Sequence, residues 1–71
     1  MEYLLVDYPA HREVLVDKEA QGNTNEIIEL EKGTHIISLK APPYDFRPRR
    51  RKIVLQETSP LTPREVTFVE L

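Results

Sequence analysis

Apolar residues in this chain recur at every second position, in runs too short for a helix, and six prolines break the runs apart. Val14 with Val16, Ile28 with Leu30, Ile37 with Leu39, Ile53 with Leu55, and Val66 with Phe68 all keep this spacing. A period of two places each pair on one face of a strand and its neighbours on the other. Slipping a strand by one residue would expose its whole apolar set, so these ten residues are expected to share one core. No helical pattern lies between the runs. The expected fold is all-β, a small antiparallel two-layer sandwich of about six short strands, forming one domain over the whole chain.

Glu2–Val6 reads as the first strand and Arg12–Asp17 as the second. The segment DKEAQGNTN, residues 17–25, reads as a turn-rich loop. Glu26–Glu31 and Thr34–Lys40 read as a hairpin about Lys32-Gly33, with Gly33 supplying the left-handed turn position. Pro42, Pro43 and Pro48 lack the donor that a ladder needs, which keeps APPYDFRP out of a central strand. Arg50–Gln56 resumes a strand, ETSPLTP is a second proline-marked loop, and Glu65–Leu71 is the last strand.

A core built from 71 residues with no cysteine has neither disulfide nor thiolate metal site to support it. Open strand edges on so small a sandwich suggest a homo-oligomer, paired through an edge away from Arg50 and Lys52. The formal net charge of −2 gives no global attraction to nucleic acid or membrane. The early apolar stretch Tyr3-Leu4-Leu5-Val6 is far too short for a signal core or a spanning helix, so no membrane insertion is expected. A complete chain of this kind would be cytoplasmic, whereas a domain cut from a secreted parent would belong to the cell envelope.

Catalytic constellations are missing from the sequence. His11 and His35 fall on different elements with no carboxylate at a recognised ligand spacing, so neither a metal nor a cofactor is expected. His35 shares parity with Ile37 and Leu39 and should pack near the hairpin end. Glu29 and Glu31 alternate with Ile28 and Leu30, which puts them on the wet face of a strand. Ser38, Ser59 and the threonines have no nucleophile elbow or ordered histidine–carboxylate set, so no enzyme is expected.

The segment DFRPRRRKI, residues 45–53, carries the one pattern with a binding chemistry. Arg51 shares parity with Ile53 and Leu55 and points inward, while Arg50 and Lys52 point outward and Arg47 and Arg49 sit in the loop beside Pro48. Arg47, Arg49, Arg50 and Lys52 are therefore the candidate residues for an anion or a protein partner. The first reading of these charges is a solvated strand edge guarded against pairing, with an acidic protein surface as a further partner. Arginine clusters hold phosphate and carboxylate through paired hydrogen bonds, so a small nucleic-acid- or polyanion-binding protein is the alternative reading. Tyr44 and Phe46 beside the arginines have the composition of a base-stacking platform, but so small a sandwich needs its aromatics for the core, and Phe46 is better suited to plugging one end of it.

The stretch YPAHREVLVDKEAQGNTNEIIELEKGTHIISLKAPPY resembles the PEGA domain, a small β-sandwich module of bacterial and archaeal proteins. Pro9 and Ala10 stand at its turn, Val14, Val16 and Asp17 in its strand, and Gly22 and Thr24 in its loop. Leu30, Gly33, Ile37, Leu39 and Tyr44 complete the match. His11-Arg12, Lys18 and Asn25 depart from the pattern, at the signature turn, after the aspartate and at the loop proline. The resemblance implies a non-catalytic module of envelope or surface proteins that serves adhesion, scaffolding or recognition. Its partner would be a protein or a surface polymer, and the family offers no common catalytic residues.

Overall fold

The alternating runs fold into two stacked sheets that share a single apolar layer. In the computed structural model, which describes residues 1–71, there are nine strand segments and no helix. They are β1 (Glu2–Asp7), β2 (Glu13–Val16), β3 (Glu19–Asn23), β4 (Ile27–Leu30) and β5 (Gly33–Leu39), followed by β6 (Phe46–Arg47), β7 (Arg50–Leu55), β8 (Arg64–Thr67) and β9 (Val69–Glu70). One sheet has the order β4-β1-β8 and the other β3-β2-β5-β7, while β6 and β9 form a small two-stranded patch.

All ten alternating residues are buried, together with Leu4, Val6, Tyr8 and Phe46. Removing each such side chain from water contributes about 1.5–3 kcal/mol, and this layer drives the fold. Thr24 is the one buried polar residue. Its hydroxyl accepts from Arg12 N at 2.9 Å and donates to Ala10 O at 2.7 Å, so it is satisfied where it is buried.

Four expectations need correction. Residues 17–25 are not simply a loop, because Glu19–Asn23 form β3 against β2. Asp17 and Lys18 both take positive φ, 51° and 72°, which is the setting of a two-residue hairpin turn matched to strand twist. Nor do β4 and β5 make a hairpin: β4 pairs with β1, and β5 pairs with β2 and β7. Gly33 takes φ of +136° and begins β5 where the chain crosses from one sheet to the other. Inward parity at Leu30 and Ile37 is the same for a hairpin and for this crossing, so alternation does not separate them. The final strand is split into β8 and β9 around the buried Phe68. Lastly, β8 runs parallel to β1, with Val66 opposite Val6, so the sandwich is not wholly antiparallel.

No helix is long and apolar enough to cross a membrane.

Candidate functional site

Outward-facing residues of the four-stranded sheet make the floor of a groove. In the register, Leu15 lies opposite Ser38, Ser38 opposite Arg50, and Ile36 opposite Lys52, all on the solvent face. The segment from Ala41 to Arg49 rises beside this floor and encloses a groove of about 680 Å³ that is partly open to solvent. That size is in the range of about 300–1,000 Å³ usual for ligand sites. Leu15 and Ile36 give it an apolar base, Tyr44 and Arg49 form one wall, and Lys18 and Arg50 reach its rim. The Arg49 guanidinium lies over the Tyr44 ring, 4.7 Å from its centroid, an attraction of the positive group for the negative face of the ring.

None of Lys18, Arg49 and Arg50 joins an ion pair; the four ion pairs of the protein involve His11, Arg12, His35 and Lys40. Asp17 is the one carboxylate at the groove, and its two oxygens are already engaged. Oδ1 accepts from Ile36 N at 3.0 Å and Oδ2 lies 2.8 Å from His35 Nδ1. Those bonds, the backbone one first, hold the Asp17 carboxyl below its ordinary 3.8. The groove thus presents positive charge over an apolar floor.

Arg12 fixes the wall. Its Nη1 donates to Asp45 Oδ1 at 2.8 Å, its Nε to Lys40 O at 3.0 Å, and its Nη2 to Pro43 O. The same guanidinium lies 5.1 Å from the Phe46 ring centroid, and Phe46 meets Phe68 edge-on with centroids 6.0 Å apart. A segment with three prolines has few ladder bonds of its own, and one arginine supplies the missing donors. Arg12 in turn holds the Asp45 carboxyl below its ordinary range, chiefly through the side-chain bond.

At the end of the core, His35 bridges the sheet crossing. Nδ1 meets Asp17 and Nε2 lies 2.7 Å from Glu31 O, so both ring nitrogens face acceptors. Only the doubly protonated ring satisfies both, and the bond to Asp17 is the main reason that the imidazole pKa is raised. His35 lies near the start of β5, at the crossing between sheets rather than at a hairpin end, and the Asp17 carboxylate beside it was not legible from ligand spacing.

The structure divides the basic run. Arg49 and Arg50 reach the groove, and Lys52 lies further along the same sheet face, on the edge strand β7. Arg47 belongs to β6, where it pairs with Val69 of β9, and does not line the groove. Arg51 is half-buried on the inner face, as expected. Tyr44 is exposed while Phe46 is buried, so the two rings do not form a stacking platform. Lys18 carries no sequence signal of its place at the groove, because the Asp17-Lys18 hairpin turn has the composition of a loop.

No family model, curated protein or solved structure matches this chain.

Proposed function

We propose that the protein is a non-enzymatic interaction module that docks an extended acidic segment of a partner protein in the groove beneath Tyr44. The observation that carries this reading is the placing of three unpaired cations, Lys18, Arg49 and Arg50, around an apolar floor. Arginine beside an aromatic ring suits carboxylates, while Leu15 and Ile36 would receive apolar side chains between them. The resemblance to PEGA domains points to the same class of function. The two ring nitrogens of His35 are both tied to structural acceptors. Ser59 and Thr62 likewise bond each other at 2.7 Å, within their own turn.

A labelled peptide alternating glutamate with leucine tests the reading, titrated at low salt against the full chain. Binding should shift the amide resonances of Leu15, Ile36 and Tyr44, and Arg49→Gln with Arg50→Gln should weaken it about tenfold or more. Shifts confined to another surface would overturn the proposal. So would tighter binding of duplex DNA than of the peptide.

A further inference from the structure

Two free sheet edges carry opposite charges at matching spacing. β4 bonds only to β1, and β7 only to β5. Phe68 N donates to Asp7 O, so the backbone groups of Asp7 and Leu5 face β8 and those of Leu4 face β4. Leu4 stands opposite Ile28, and Glu2 opposite Leu30. The N–H and C=O groups of Ile27, Glu29 and Glu31 therefore point to the free edge. On the other sheet, Asp17 N donates to Ile36 O and Lys40 N to Glu13 O, which turns Ile36 and Ser38 toward β2. His35 and Ile37 then face β7, where they bond Ile53 and Arg51. Arg50, Lys52 and Val54 are left with their backbone groups on the open side.

We infer that a second copy of this chain fills these edges, with β4 of one copy pairing antiparallel with β7 of the next. In the matching register Ile27 lies opposite Val54, Glu29 opposite Lys52, and Glu31 opposite Arg50. Each of these residues faces outward in its own sheet, so solvent face continues into solvent face and Ile28 meets Ile53 on the core side. Ile27 and Val54 are 44% and 53% exposed, and each would gain an apolar neighbour. A slip of two residues places Ile27 against Lys52 or Glu29 against Val54 and loses the match. Glu31 O already accepts from His35, so the ladder bonds belong to Ile27 and Glu29, and Glu31 contributes its carboxylate.

The same charges disfavour pairing of like edges. β7 against β7 sets arginine and lysine against their like, and β4 against β4 does so with glutamates. The β8 edge would bring the exposed Glu65 toward the glutamates of β4. Of the pairings open to β4, the one with β7 sets opposite charges together at both positions. Association thus falls on the edge that carries Arg50 and Lys52, and not away from it, because β4 supplies the acidic partner. The contact joins different surfaces of the two copies, so it propagates head to tail into rings or filaments.

Sedimentation of the full chain at low salt tests this. Average mass should rise with concentration and fall as salt is added. Glu29→Lys with Glu31→Lys, or Arg50→Glu with Lys52→Glu, should each weaken association about tenfold or more, since two cross-strand pairs turn repulsive. An equimolar mixture of the two variants should assemble again, because each then meets an edge of opposite charge. Val54→Pro removes a free-edge donor without touching the ladder to β5 and should abolish assembly with the strand circular dichroism retained. Tyr44→Ala should leave assembly unchanged, which separates this result from failure of the groove reading. A wild-type chain that stays monomeric at every concentration would overturn the inference, as would charge-reversed chains that assemble alone as well as mixed.

Discussion

Gly22 lies so close to Ile28 that a β-carbon at Gly22 would stand 2.8 Å from Ile28 Cγ1. The contact follows from the irregular pairing of β2 and β3, where Val14 opposes Gly22 but Leu15 opposes Ala20, leaving Gln21 as the extra residue. Gly22 is thereby placed on the inner face, opposite the acidic edge strand of the other sheet. Ile28 is branched and packed in the core, so it has little room to yield. Gly22→Ala should destabilise the fold by about 1–3 kcal/mol. In a double-mutant cycle with Ile28→Ala the two losses should fall short of additive, because the alanine at position 28 relieves the overlap. Denaturant unfolding of the four proteins measures this, and strict additivity would disprove the close contact.

The wall of the groove depends on Arg12 in a way that lysine cannot reproduce. Three acceptors, Asp45 Oδ1, Lys40 O and Pro43 O, surround one planar guanidinium that also covers Phe46. An ammonium has the charge but not the fork. Arg12→Lys should lower stability by about 1–2 kcal/mol. It should also speed hydrogen exchange of the Leu71 amide, which donates to Asp45 O at 2.8 Å. Leu15 and Ile37 amides, held in the four-stranded sheet, should be less affected. Unchanged exchange at Leu71 would mean that Arg12 does not anchor the segment.

How much of this was legible in the sequence depends on the range of the interaction. Val14 through Phe68 declared their inward faces by alternation, since burial of a strand face is written within a few neighbouring residues. β3 was hidden because Glu19, Ala20, Gln21, Gly22 and Asn23 are poor strand formers, and pairing with β2 overrides their preference. The crossing at Gly33 was hidden because parity carries no information about which sheet a strand joins. In the groove, Arg49 and Arg50 stood out as charges, but Arg12 and Asp45 are 33 residues apart and meet only once the strands are in register. Lys18 gave no signal, since lysine rarely takes a positive φ and its turn looked like loop.

The His35–Asp17 pair makes stability depend on pH in a defined direction. Folded His35 holds its proton above the ordinary 6.5, chiefly through the bond to Asp17. A group with a raised folded pKa contributes fully below its unfolded value and loses that contribution as pH rises through the folded value. Asp17 has the opposite sense: held below 3.8, it contributes above 3.8 and loses that as pH falls through its depressed value. The contribution of the pair is full between 3.8 and 6.5. Melting temperatures of the wild type and His35→Gln should therefore differ most in that window and converge as pH climbs above it. A difference independent of pH would show that the ring acts by packing alone.

The basic run should bind nucleic acid weakly and without sequence preference. Its charges do not line one track: Arg47 lies on β6, Arg49 and Arg50 at the groove, and Lys52 farther along β7. The chain as a whole is acidic, with net charge −2, so long-range attraction is lacking. If three of these residues met phosphates, duplex affinity should fall roughly 40-fold between about 50 and 200 mM salt, from a slope near −0.9 per phosphate. Glutamine at Arg49, Arg50 and Lys52 should then weaken every duplex alike, because phosphate contacts position a protein without reading bases. Titration of labelled duplexes of different sequence, each at low and moderate salt, measures both effects. Binding that distinguishes the sequences and survives at about 200 mM salt would refute the acidic-partner reading and return the basic run to nucleic acid.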